Sequence, residues 1–287
     1  MCLLVVAWNA HPKYRLVIAG NRDEFHKRPS AALGWWKDAP SVLAGRDLEA
    51  SGTWLGLSPG GRFGIVTNFR DFEKPPPPGA PSRGELVPRF LSGSVDPARF
   101  LEQLEDSSPA YGGFNLLVGG PRSLHYYSNR GGDRPRSLGP GIYGLSNQWL
   151  DTPWPKLVRT RERFVALLSK AALEAAELFA MLADRTTAGD AELLRAGFPE
   201  DWERAVSAPF VVHERYGTRC STVVLIERDG RTVVHERRFD PGGIQSGASR
   251  FQFASGQAAD HARPDDADST DRNEPARPVA EFDASPE

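Results

Sequence analysis

The chain has 287 residues, is 40% hydrophobic and carries a net charge of −2, enough to bury one substantial core in one large domain or two small ones. No stretch approaches the roughly 20 apolar residues needed to span a bilayer, and the near-neutral balance lacks the strongly basic patch of a nucleic-acid footprint. The two cysteines, Cys2 and Cys220, make neither a disulfide framework nor a metal site, and the six histidines fall at no metal spacing. A reducing, cytoplasmic setting with no cofactor is the expectation. The N-terminal apolar run, Leu3 to Trp8, has no positive residue before it and ends at Asn9 and His11-Pro12, too short for a signal peptide.

Strand patterns dominate the first 70 residues. Cys2 to Trp8, Arg15 to Ala19, Ser41 to Ala44, Gly52 to Leu57 and Arg62 to Asn68 are short, apolar and bounded by glycines. Lys74 to Pro81, with four consecutive prolines, reads as an extended surface loop. Helical patterns follow at Glu85 to Leu91 and at Pro97 to Leu104, the second with Asp96 as N-cap and Pro97 at the first helical position. Strands return at Phe114 to Val118, Leu124 to Ser128 and Ile142 to Ser146. Pro155 to Ala171 and Leu173 to Leu182 read as a helix pair.

The chain continues with strands at Phe210 to Glu214, Ser221 to Glu227 and Thr232 to Phe239, the last two a hairpin around Arg228-Asp229-Gly230. Alternation of strands with helix pairs is the order expected of two sheets packed together, each covered by helices. Residues 1–243 form that domain. From Gln245 to Glu287 nine acids face four arginines and large apolar groups are few, so 244–287 is expected to be a disordered acidic tail.

Residue 2 is the first candidate for chemistry. Removing Met1 places the Cys2 thiol beside a free α-amine of pKa about 7.7 to 8.0, a general base near working pH. After the Tyr14 to Ala19 strand pattern stands Asn21-Arg22-Asp23-Glu24. With Ala44-Gly45-Arg46-Asp47, Gly52-Thr53-Trp54-Leu55-Gly56, Thr67-Asn68-Phe69-Arg70, Ser82-Arg83-Gly84, Phe114-Asn115-Leu116, Leu145-Ser146-Asn147, Pro153-Trp154-Pro155-Lys156 and Tyr216-Gly217-Thr218-Arg219, these segments run in order to about residue 240. In them the chain resembles the NRDE family, also called the transport and Golgi organisation protein 2 family.

That resemblance implies the α+β, four-layer αββα sandwich of two mostly antiparallel sheets seen in N-terminal-nucleophile hydrolases. It implies attack by Cys2 on a C–N amide or thioester of a small or lipid-like substrate. The alternative it implies is a non-catalytic carrier or chaperone that holds haem or an acyl-CoA-like lipid in the same cleft. Asn68 and Asn147, both at strand ends, stand where the amidase branch has its oxyanion-shaping asparagines. Arg22 would lower the thiol pKa and Asp23 would hold the α-amine. The amidases separate that arginine from that aspartate by two residues, whereas here they adjoin. Neighbours on a strand face opposite sides, so Arg22 and Asp23 both face Cys2 only if the strand ends or bulges, and otherwise one of them pairs with Arg28, Arg46 or Asp47.

Asn21, Arg219 and Trp54 complete the candidate site as binding residues. Trp149 and Trp154 are expected to pack or to line a pocket. Gly139 to Gly144 satisfies GxGxxG but leads into a strand, which sets aside a dinucleotide fingerprint. His125 and His213 could ligate haem iron, although strand histidines are ordinarily surface or core residues.

Overall fold

The computed structural model describes residues 2–71, 74–193 and 199–254. Strands β1 (Cys2–Trp8) and β2 (Tyr14–Phe25) belong to one sheet with β10 (Gly141–Leu145), β11 (Tyr216–Glu227), β12 (Arg231–Phe239) and β13 (Gln245–Ala254). Its order is β10-β1-β2-β11-β12-β13, with every pairing antiparallel. The second sheet contains β3 (Ser30–Trp35), β4 (Leu43–Asp47), β5 (Leu55–Leu57), β6 (Phe63–Asn68), β7 (Phe114–Gly119), β8 (Leu124–Ser128) and β9 (Arg136–Leu138), antiparallel and in chain order.

Side-chain alternation along β1 explains the layering. Leu4, Val6 and Trp8 enter a core shared with Ile65, Leu117 and Phe63 of the second sheet. Leu3, Val5 and Ala7 instead pack on α3 (Pro155–Leu168) and α4 (Ala175–Leu182), through Leu157, Phe164, Leu178 and Leu182. A strand buried on both faces must be apolar at every position, which is what residues 3 to 8 supply. The outer face of the second sheet is covered by α1 (Leu86–Ser92) and α2 (Pro97–Ser107), which bury Phe90, Phe100, Leu101 and Leu104. Asp96 caps α2 by accepting from the Ala98 amide at 2.9 Å. The result is an αββα sandwich.

Several expectations need correction. Residues 245–254 are not tail but the edge strand β13, paired along β12 with Phe251 opposite Val234 and Phe253 opposite Thr232. An edge strand needs only one apolar face, and Phe251 and Phe253 provide it while their neighbours stay polar. Residues 255–287 lie outside the described residues. The stretch Phe210 to Glu214 is not a strand, because the chain turns through His213 to Tyr216 and leaves only a bridge between Val212 and Gly217. Strands β3 and β9 and helix α5 (Glu200–Val206) are additions. Finally, β2 does not stop at Ala19 but carries the Asn21 to Glu24 tetrad inside the sheet.

One glycine fixes the wall of the cleft described below. A Cβ at Gly52 would come within 2.4 Å of the Gly84 carbonyl carbon, where the Thr53 amide donates to Gly84 O at 2.9 Å. Backbone cannot yield as a flexible side chain does. Gly52→Ala is expected to displace the 82–84 turn and cost about 1–3 kcal/mol, lowering the Tm by roughly 2–4 °C per kcal/mol in a thermal melt.

Candidate active site

Strand register assembles the site. Cys2 opens β1 directly opposite Arg22 of β2, and Arg22 in turn lies opposite Cys220 of β11. The register of β11 slips between Thr218 and Cys220, so Arg219 is the extra, bulged residue and Asp23 meets Thr218. The bulge sits on β11, so β2 keeps its alternation. Even-numbered residues of β1, and of β2 from Leu16 onward, face the other sheet and odd-numbered ones face α3 and α4, while Tyr14, beyond a second irregularity, packs on the helical side. Arg22 therefore shares the face of Cys2, whereas the Asp23 carboxylate turns to the helical side.

Arg22 is held by a carboxylate and an aromatic ring. Its Nη2 donates to Asp47 Oδ2 at 3.1 Å, its guanidinium stacks 4.3 Å from the Trp54 ring centre, and only 5% of its side chain is exposed. Arg28 grips the same Asp47 oxygen through Nε at 2.6 Å. The structural ion pair expected of Arg22 or Asp23 is thus the one between Arg22 and Asp47.

Asp23 is buried and accepts from Thr218 Oγ1 at 2.7 Å. Burial raises its pKa, and the ammonium of Lys156 opposes that rise. Lys156 is itself buried in α3, donates to Val206 O at 3.0 Å, and has its pKa lowered by burial against the pull of Asp23. Burial likewise pushes the Cys2 thiol up. The backbone amide of Asp23, hydrogen-bonded to the sulfur, and the charge of Arg22 work in the other direction. A neutral resting thiol needs a base to ionise it.

The two asparagines do different jobs. Asn147 is buried, accepts from the Cys2 backbone N through Oδ1 at 3.2 Å, and donates through Nδ2 to Asn68 O at 2.8 Å. Asn147 therefore fixes residue 2, and its bond to Asn68 uses one of the two Nδ2 hydrogens, which keeps a donor of the kind expected of it. Ser146 supports the same end by donating to Cys2 O at 2.8 Å. Asn68 ends β6 with its carbonyl anchored by Asn147 and its side chain exposed in the cleft. That side chain is placed to donate into the cleft.

The cleft has a volume of about 520 Å³, and its walls include Cys2, Arg22, Asp23, Trp54, Asn68 and Arg83. Two expected binding residues are not in it. Asn21 faces the helical side, donates to Leu182 O and Pro209 O at 2.9 Å each and accepts from Ser221 at 2.6 Å, which makes it a structural tie. Arg219 closes the 25–28 turn by donating to the carbonyls of Phe25, His26 and Arg28. His125 and His213 also lie off the cleft, His213 near Asp201 at 3.7 Å.

Arg83 and Lys156 belong to the site and were given no role from sequence, where Asp47 and Arg28 entered only as possible ion-pair partners. Lys156 had a readable signal, since it shares the stripe Thr160, Phe164 and Leu168 that α3 buries. A lysine on a buried stripe calls for a counter-charge. Lys156→Met is expected to strand the Asp23 carboxylate without that cation and to cost about 3 kcal/mol. Asp23→Asn in the same chain should recover part of the loss in a double-mutant cycle of thermal melts.

The fold is an αββα sandwich whose first strand opens with a cleft-lining cysteine, the layering that the family resemblance implied. The family model described as Transport and Golgi organisation 2 matches residues 1–241, and the chain belongs to that family. The Transport and Golgi organization 2 homolog of Mus musculus is 34% identical over 257 residues, covering 83% of this chain and 92% of that protein. The Homo sapiens homolog is 34% identical over 261 residues with the same coverage, 83% and 92%. The Drosophila melanogaster protein is 26% identical over 256 residues, or 80% of this chain and 89% of its own. Among solved structures, the Caenorhabditis elegans N-acylethanolamine-hydrolyzing acid amidase ortholog aligns at a TM-score of 0.39 and 10% identity, over 78% of this chain and 92% of that one.

Proposed function

We propose that the chain is an N-terminal-nucleophile hydrolase acting on a C–N amide or thioester of a small or lipid-like substrate, with Cys2 as nucleophile once Met1 is removed. The observation that carries this reading is the hydrogen bond from the Cys2 backbone N to Asn147 Oδ1 at 3.2 Å, at the wall of the large cleft. It would orient the freed α-amine as base toward its own thiol. The amine takes the thiol proton, sulfur attacks the carbonyl, and the Asn68 amide meets the oxyanion while the proton passes to the leaving atom. Water then hydrolyses the thioester.

Because the base is the amine, the acylation rate should climb as pH passes about 7.7 to 8.0, where the amine loses its proton. Intact-mass measurement after exposure to a thiol-directed acylating probe tests the reading. The expected result is one acyl adduct, mapped to a chain that begins at Cys2. Met1 retained in the native host, or no adduct on residue 2, would overturn it and leave the carrier reading, in which the same cleft holds haem or an acyl-CoA-like lipid without turnover.

A further inference from the structure

We infer that the cleft takes a substrate whose acyl part ends in a carboxylate and whose leaving group is a flat, apolar ring. This rests on the hydrolase reading and names the substrate class for that same site.

The first support is the balance of donors and acceptors around Arg22. Both oxygens of Asp47 are occupied, Oδ2 by Arg22 and Arg28 and Oδ1 by the amides of Glu49 and Ala50 at 3.0 Å each. Glu24 gives Oε1 to the Phe25 amide, and its Oε2 stands 3.9 Å from Arg22 Nη2, beyond hydrogen-bond reach. Arg22 Nη1 is buried and has no acceptor among the described residues. Arg83, between the main cleft and the second cavity, makes one side-chain hydrogen bond among the described residues, from Nη1 to Gly113 O at 3.1 Å. The unmet capacity here is for an acceptor, and a carboxylate answers guanidinium donors with short, charge-assisted bonds.

The second support is a connected limb of about 370 Å³ that shares Glu24, Phe25, Asn68 and Arg83 with the main cleft. Four of its ten lining residues are aromatic, and the charged Glu24, Arg70, Asp71 and Arg83 rim them. Phe25 packs against Tyr216 at 5.2 Å and Trp202 at 5.8 Å, Trp202 lies 5.3 Å from Tyr216, and Phe69 joins them. Phe25 is 41% exposed, an aromatic surface that a flat ring would cover.

The third support sets the direction of the substrate. The amine that receives the thiol proton must hand it to the leaving atom, so that atom lies on the amine's side of Cys2. Asn147, which holds Cys2 N, lines the aromatic limb. The leaving group therefore occupies the aromatic limb and the acyl chain runs to Arg22 and Arg83. In the reaction the Sγ–C bond forms and the C–N or C–S bond breaks. The thiol proton ends on the departing atom, and water then releases the dicarboxylate and restores the thiol.

Calorimetric titration of the Cys2→Ala chain tests the class without requiring turnover. Three probes suffice: glutaryl para-nitroanilide, pentanoyl para-nitroanilide, which lacks the carboxylate, and the para-nitrobenzoyl amide of γ-aminobutyrate, which reverses the amide. The glutaryl anilide should bind about tenfold or more tighter than the other two. Arg83→Met should reduce it to the level of the pentanoyl anilide, and Trp202→Ala should weaken both anilides alike. The ligand ranking holds even where a variant fails to fold. Equal affinities, or tighter binding of the reversed amide, would overturn the inference. Selective binding without acylation of the wild-type chain would support the substrate class and sink the hydrolase reading, whereas acylation by the pentanoyl anilide as readily as by the glutaryl one would do the reverse.

Discussion

Cys2→Ala is expected to abolish turnover of an amide or thioester while leaving the fold and ligand affinity nearly intact. The expectation combines two magnitudes. Sulfur forms and breaks the covalent bond, and Cys220, the other thiol in register with Arg22, is buried and does not line the cleft. Loss of a small, half-buried side chain at the end of a strand costs about 1 kcal/mol or less. Asn68→Ala provides a second arm, because removing one oxyanion donor typically lowers kcat by about 100-fold to 1000-fold. A carrier has no such term and would show unchanged ligand binding in both variants. Single-turnover acylation monitored by mass, alongside equilibrium binding of haem and of acyl-CoA, separates the two readings. Intact cellular activity in both variants would remove catalysis from the account.

How far the sequence disclosed this site depended on what each residue's signal was. Cys2, Arg22 and Asn68 lay in short motifs with a chemical reason to converge, and strand register places Cys2 and Arg22 side by side. The αββα layering was legible because β1 is apolar at every position while α2 and α3 bury one stripe each. What escaped was pairing over long distance. That Asp47, one of three partners open from sequence, receives both Arg22 and Arg28, or that Asn21 ties β2 to residues 182 and 209, depends on partners from 19 to 188 positions away. Local pattern carries no such information. The adjacency of Arg22 and Asp23 looked like a departure from the amidase spacing. In the fold it sends the two side chains to opposite faces, one beside the thiol and the other to Lys156.

Deleting β13 is expected to destabilise the sandwich severely, which composition alone concealed because ten residues of strand were averaged into forty-three polar ones. Phe251 and Phe253 are 6% and 8% exposed and lie in the core between the sheets, where Phe253 meets Trp35 edge-on at 5.6 Å. Burying a phenylalanine is worth about 3–5 kcal/mol against alanine. Losing both rings together with the ladder to β12 should therefore remove at least about 5 kcal/mol, comparable with the whole stability of an ordinary domain. The loss would also spread to the second sheet, because β12 holds β3 through Glu236, whose Oε1 accepts from the Leu33 amide at 2.8 Å. Comparing a chain ended at Ala254 with one ended at Gly243 isolates the strand. The shorter chain should melt at least about 10 °C lower or fail to fold, and Phe251→Ala with Phe253→Ala in the longer chain should reproduce most of the effect. Melting temperatures within two or three degrees of each other would show that β12 tolerates an open edge and that the core closes without the two rings.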